Sequence, residues 1–280
     1  MARPPSAKRA RPLRSPVSRT PTWLPTAATI GVIALLVGAF LAIRYVMTPA
    51  PPPAISTSAT DVVVATITGL PATELEQIGS GSANNLIKKV SGTALTGPDG
   101  KPEVFYLGAE YCPYCAAERW PMIIALSRFG TFSGLQTTTS SSTDAYPNTP
   151  TFTFRSATFS SQYIDFQSVE TTDRNQNALQ TPTAAQQALV SKYDTGGSIP
   201  FVDFGNQYAS AGAMYVPDIL AGMTWQQAAD SLQQPGSAQA KAILGAANLI
   251  TAGVCQLTGQ QPAAVCTGSS IQAIETKLGS

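Results

Sequence analysis

The sequence predicts an α/β domain: a central mixed sheet flanked by helices, with a helical extension at its C-terminal end and one apolar helix ahead of it. Three observations carry that expectation. Short β-prone runs alternate with helix-periodic runs from about residue 61 onward. Gly205-Asn206 joins two apolar runs as a tight hairpin would. Trp23 to Met47 is a separate apolar segment behind a basic tail. Strands and helices that alternate along a chain bury their apolar faces best as layers around one sheet.

The N-terminal organisation follows from charge. Residues 1–22 carry Arg3, Lys8, Arg9, Arg11, Arg14 and Arg19 with no acid. Thr26 to Ile43 then runs eighteen residues without a charge, about the length that crosses a bilayer core. Trp23 and Tyr45 stand where interfacial aromatics belong, and Arg44 can snorkel outward. The expectation is a basic cytoplasmic tail (1–22), a single-pass cell-membrane anchor in the lipid bilayer (23–47), a Pro/Ser/Thr-rich stalk (48–60) and an extracytoplasmic domain (61–280). The apolar run exceeds a signal-peptide core, and Arg44 and Pro51-Pro52-Pro53 follow it instead of a small-residue cleavage site, so the anchor is read as uncleaved. From residue 51 onward 10 basic side chains face 16 acidic ones, a formal −6, which argues against a nucleic-acid partner.

Within the domain, Asp61 to Thr66 reads as a first strand and Pro71-Ala72-Thr73-Glu74 as the opening of a short helix. Asn84 to Val90 reads as another helix, and Gly97-Pro98-Asp99-Gly100 as a turn. Glu103 to Leu107 is a buried strand, and the helix after Cys115 is expected to kink at Pro121 and to bury Ile123, Ile124, Leu126 and Phe129. Residues 139–150 read as a loop, Gln162 to Glu170 as a strand and Thr183 to Tyr193 as a helix. Ile199-Pro200 leads into the hairpin that ends near Tyr208. A helix starts at Thr224, Pro235-Gly236 breaks it, and Ser237 to Ala252 forms the next.

The chemistry concentrates in Cys112-Pro113-Tyr114-Cys115, on the turn from strand to helix. Two thiols at this spacing close a small reversible disulfide ring. The first lies at a helix N-terminus, where unpaired N–H groups and the helix dipole favour thiolate, the form that attacks disulfides. Cys112 is the expected nucleophile, Cys115 the resolving thiol, and Pro113 fits the first helical turn without losing a hydrogen bond. A zinc knuckle would need two further ligands, and the chain has no histidine, so neither metal nor cofactor is expected. A permanently closed disulfide is the other alternative. Cys255 and Cys266 enclose a short loop with Gly259 and Pro262 and read as a structural disulfide, with a second redox pair as its alternative. Glu110 and Glu118, the nearest acids to the dithiol, read as solvated surface residues. Tyr111 and Tyr114 either line a substrate groove or pack at its rim, and Trp120 and Trp225 read as core.

Gly108-Ala109-Glu110-Tyr111-Cys112-Pro113-Tyr114-Cys115, Gly197-Ser198-Ile199-Pro200-Phe201-Val202-Asp203 and the Pro-Ala-Ala-Val-Cys run ending at Cys266 resemble an uncharacterised family of membrane-anchored thioredoxin-like proteins. The resemblance covers roughly residues 60–278, and the Cys-Pro-Tyr-Cys centre is similar to that of glutaredoxins. It implies a thioredoxin-like fold and a cis Pro200 facing the disulfide. The Ile199 backbone would then pair with an extended substrate segment. Tyr111 stands where thioredoxins carry Trp, and no His lies between the cysteines as in oxidising periplasmic enzymes. The expected function is a membrane-tethered, extracytoplasmic thiol–disulfide oxidoreductase. It would act on secreted or envelope proteins with cysteines and be recharged by an unidentified membrane redox partner. The alternative is a non-catalytic thioredoxin-like binding or scaffold module with structural disulfides.

Overall fold

The computed structural model describes residues 35–39 and 57–278. It divides into two units, Met1–Pro53 and Ala54–Ser280. In the first, residues 35–39 of the expected anchor are helical with Leu35, Leu36 and Val37 exposed; the expected tail, the rest of the anchor over 23–47 and residues 48–56 of the stalk lie outside the described residues.

The second unit is built around a five-stranded sheet in the order β1-β9-β8-β2-β7. The strands are β1 (Lys88–Lys89), β2 (Glu103–Gly108), β7 (Asp165–Glu170), β8 (Phe201–Phe204) and β9 (Tyr208–Ala211). β2 pairs parallel with β7 and antiparallel with β8; β8–β9 and β9–β1 are antiparallel, so the sheet is mixed, as expected. Alternation along β2 feeds two cores. Val104 and Tyr106 join the large core with Val202 and Phe204, while Phe105 and Leu107 pack with Val169, Phe201 and Val190. Helix α3 (Pro113–Leu126) and helix α6 (Gly245–Leu257) lie on the first face, and α4 (Ala184–Tyr193) covers the second. α4 begins with a capping box between Thr183 and Gln186, the start that the sequence pattern marks. The hairpin turn falls at Gly205 and Asn206, both at positive φ (60° and 57°), which is why a glycine and an asparagine stand there.

Two expected elements exchange character. Asp61–Thr66 is not a strand but part of helix α1 (Thr57–Thr68), which also takes in residues 57–60 of the expected stalk. The three consecutive valines favour a strand by propensity. Burial follows helical spacing instead: Thr60, Val63 and Ile67 face inward while Val62 is 55% exposed. The hydroxyls of Thr66 and Thr68 donate back to the carbonyls of Val62 and Val64, each at 2.9 Å. The expected helix at 84–90 is absent. Lys88 and Lys89 form an edge strand on β9 there, and charged lysines are what a sheet edge tolerates. The short helix near residue 72 is present as α2 (Ala72–Ile78), and the turn before β2 is closed by the Gly97 N–H to Lys101 O bond.

Between α3 and β7 lie two small ladders that the sequence does not announce: β3 (Gly130–Ser133) with β6 (Thr158–Ser161), and β4 (Gln136–Thr139) with β5 (Pro150–Thr153). The polar run between β4 and β5 is the expected loop. After α5 (Trp225–Leu232), a π-helical segment (Ala240–Leu244) leads into α6. Ala240–Leu257 is apolar enough and long enough to cross a bilayer, but 83% of it is buried inside the fold, as a core helix is. Gly245 lets this helix meet another segment closely: a Cβ there would stand 2.3 Å from Ser80 O. Cys255, at the end of α6, is disulfide-bonded to Cys266 in α7 (Ala263–Cys266), with Cα atoms 5.5 Å apart; α8 (Ser269–Glu275) follows. Together these form the helical extension.

Candidate active site

β2 runs into the core and stops at Gly108, and four residues later Cys112 caps helix α3. Cys112 has extended backbone angles, Pro113 holds the first helical position, and the Cys112 Sγ accepts the Cys115 N–H at 3.3 Å. The sulfur therefore serves as the N-cap acceptor that Ser or Asp supplies in other helices. The two cysteines are free thiols packed with Ala109, Tyr111 and Ile199. Cys112 keeps 6% of its surface and Cys115 none.

This asymmetry separates the two acidities. Cys112 is lowered to about 7, first by the hydrogen bond from Cys115, then by the N–H groups of the helix start and the Arg119 charge, against the opposing effect of burial. Burial drives Cys115 well above the ordinary thiol value, and its role as donor to Cys112 adds to that. One sulfur is thus primed as thiolate near neutral pH while its neighbour keeps the proton.

Ile199 packs against the pair. The Ile199–Pro200 bond is cis, and the Cys112 Sγ lies 3.8 Å from Ile199 O. Pro200 O in turn accepts from Gly212 N at 2.8 Å, which ties it to the end of β9. The unforeseen β4–β5 ladder forms one flank. Trp120 Nε1 donates to Pro150 O at 2.9 Å and Thr151 Oγ1 to Ala116 O at 2.7 Å, fixing β5 on α3. The following loop then reaches the dithiol, where Ser141 N–H donates to Tyr111 O at 2.8 Å. Tyr111 is half-buried, whereas Tyr114 is 40% exposed and meets Tyr146 of that loop edge-on at 5.8 Å.

Glu110 and Glu118 are both buried, contrary to the expectation of solvated acids. The Glu110 carboxylate accepts from Thr153 Oγ1 at 2.6 Å. Glu118 accepts only from Met214 N–H, at 3.1 Å, and burial pushes it up to about 8. Helical periodicity explains the error: positions three residues after Cys115 turn inward whenever another layer covers the helix, and here the loop before residue 217 does so. Sequence reading also misses Arg119 and Glu170. Both are fully buried, with Arg119 Nε and Nη2 donating to the Glu170 carboxylate at 2.8 and 2.6 Å. The available signal was spacing alone, since Arg119 falls four residues after Cys115 on the same helical face.

Among the described residues no group of three or more His, Cys, Asp or Glu side chains is placed to hold a metal ion. A cleft of about 270 Å³ elsewhere, bounded by Lys89, Gln207, Tyr208 and Gln256, is lined by no cysteine.

Residues 86–256, more than half of the chain, match the model of a family described as a domain of unknown function (DUF929), and the chain belongs to that family. The matched span holds the five-stranded sheet, the Cys112/Cys115 turn and Cys255, but stops short of Cys266. No curated protein and no solved structure matches the chain.

Proposed function

We propose that this chain is a membrane-tethered, extracytoplasmic thiol–disulfide oxidoreductase of thioredoxin-like fold. The observation that carries the reading is the Cys112/Cys115 pair at the start of α3, with one sulfur acidified to about 7 and the other kept as a buried thiol. The sheet order β7-β2-β8-β9 and the Ile199 carbonyl 3.8 Å from Cys112 Sγ, at the entry to β8, support the fold assignment. The uncharged run behind six basic residues supports the anchor, with the N-terminus cytoplasmic.

In the reducing direction the Cys112 thiolate attacks one sulfur of a substrate disulfide, forming a mixed disulfide and releasing the other substrate sulfur as thiolate. Cys115 then loses its proton and attacks the Cys112 sulfur, expelling the second substrate thiolate. The substrate has gained two electrons and the protein ends as the Cys112–Cys115 disulfide. The same steps reversed oxidise a substrate dithiol. Ile199, with Tyr111 and Tyr114 beside it, would hold an extended substrate segment by strand addition. The direction of net flux is set by the reduction potential of the pair against a redox partner in the membrane.

The test is turnover by the full-length chain in detergent, measured as dithiothreitol-driven reduction of insulin. Wild type accelerates it, Cys112→Ser does not, and Cys115→Ser accumulates mixed disulfides. A wild-type rate equal to dithiothreitol alone leaves only a binding module.

A further inference from the structure

Arg119 and Glu170 exchange no bonds in this scheme, yet both are wholly buried beside the dithiol. Stability alone gives a weak reason for them, because well-packed apolar side chains often replace a buried ion pair without loss. Three geometric facts locate their action. Arg119 lies one helical turn after Cys115 on the same face of α3. Its Nη2 donates to Ala109 O at 2.9 Å, and that same carbonyl accepts the Cys112 N–H at 3.3 Å, so guanidinium and dithiol turn share one acceptor. Glu170, at the end of β7, grips two guanidinium nitrogens, while the ring of Tyr106 lies 5.9 Å from Arg119 Cζ. Gly108 leaves room for the Tyr106 ring, since a Cβ there would stand 2.2 Å from its hydroxyl.

The titratable groups around the sulfurs are Tyr106 from β2, Tyr111 from the turn, and Tyr114, Cys115 and Arg119 from α3. Asp144 acts on the two outer tyrosines, and Glu170 acts on Arg119 and Tyr106. Arg119 is the cation in this set, and its charge favours the thiolate at both cysteines.

We propose that Arg119 is the positioning cation of the dithiol: clamped between Glu170 and Ala109 O, it holds negative charge on the Cys112 sulfur and thereby sets how readily the Cys112–Cys115 disulfide accepts electrons. Above the Cys112 midpoint, reduction takes up two electrons and one proton, leaving thiolate at Cys112 and thiol at Cys115. The electrons come from a dithiol substrate, whose sulfurs close to a disulfide. The consequence for electron acceptance rests on the oxidoreductase reading; the charge on Cys112 does not.

The experiment is an ultraviolet thiolate titration of reduced full-length protein in detergent, with C112S as the blank. In Arg119→Met/Glu170→Met, which leaves neither charge unpaired, the Cys112 midpoint rises by about one pH unit or more. Its equilibrium with glutathione shifts about tenfold toward the disulfide, roughly 30 mV more negative. Arg119→Lys keeps the midpoint close to wild type, and Glu170→Gln, which frees the cation of its counter-charge, lowers it. A purely structural pair would change the melting temperature and leave the midpoint in place, so an unmoved midpoint in a folded double variant overturns the proposal. Should the double variant not fold, E170Q decides: a lowered midpoint supports the proposal and an unchanged one overturns it. Failure of wild type to form the Cys112–Cys115 disulfide in glutathione would refute the oxidoreductase reading, while the midpoints still judge Arg119.

Discussion

The molecule holds two cysteine pairs, one at the start of α3 and one joining the last turn of α6 to α7, and they differ in what surrounds the sulfur. α3 begins at its pair and buries two ionisable side chains, Glu118 and Arg119, within its second turn. α6 ends at Cys255, and its buried polar residues, Asn248 and Thr251, are neutral. Cys255 and Cys266 are bonded and sit in the main apolar core, while Cys112 and Cys115 form a small cluster of their own under Ile199. A sulfur with nearby donors and a fixed cation can change its charge during exchange; one surrounded by apolar atoms cannot do so cheaply. The surroundings of each pair, more than its spacing, set whether its sulfurs can carry charge.

The largest effect should come from the nucleophile. Cys112→Ser is expected to reduce insulin turnover by at least about a thousandfold, toward the level of a protein without a thiolate. The Cys255→Ala/Cys266→Ala double variant should keep turnover within a few-fold of wild type. Equal losses in the two would erase the contrast. A second consequence is stability: removing Cys255–Cys266 should cost about 2–4 kcal/mol, read in urea melts of the full-length protein, whereas reducing Cys112–Cys115 should cost much less.

The pH dependence of alkylation sharpens the same contrast. Cys112 falls to about 7 in the folded chain, so iodoacetamide should label it with a midpoint near that pH while Cys115 stays unlabelled until far more alkaline conditions. A common midpoint for both would contradict the asymmetric environment. Glu118 tests the charged interior of α3 by a different route. Its folded value of about 8 lies above the unfolded 4.5, so between those limits the unfolded chain sheds a proton that the folded chain keeps. Stability should therefore fall as pH rises through that window, by up to about 1.4 kcal/mol per unit, and Glu118→Gln should flatten the slope. The smallest effect concerns the rim: Tyr114→Ala should raise the substrate KM a few-fold with kcat held, because the ring is 40% exposed and leans edge-on against Tyr146.

The parts legible in the sequence are those that local chemistry decides. The β-prone run into Cys112, the Pro113 helix start, the Gly205-Asn206 turn and the helix from Thr183 each announce themselves within a few residues. The Cys255/Cys266 bond was readable from the loop it encloses. What stayed hidden depends on what packs against it. Val62-Val63-Val64 reads as a strand until Val63 and Ile67 are seen to share one buried helical face. Lys88 and Lys89 become a strand only because β9 offers them an edge. Glu110 and Glu118 read as surface acids, and Arg119 and Glu170 gave no signal beyond spacing, because their partners (Thr153, Met214 and each other) lie far along the chain. The β4–β5 ladder that brings Tyr146 to the dithiol is mostly threonine, with Gln136, Pro150 and a single large apolar residue, Phe152, so no apolar alternation marks it, and Trp120 and Thr151 fix it in place.

The most direct test of the central claim is graded reduction of the oxidised full-length protein in glutathione buffers, with thiols counted at each cysteine by mass spectrometry after alkylation. The account predicts that Cys112–Cys115 opens and re-forms reversibly across the series while Cys255–Cys266 stays closed throughout. Both pairs opening together, or neither opening, would contradict it.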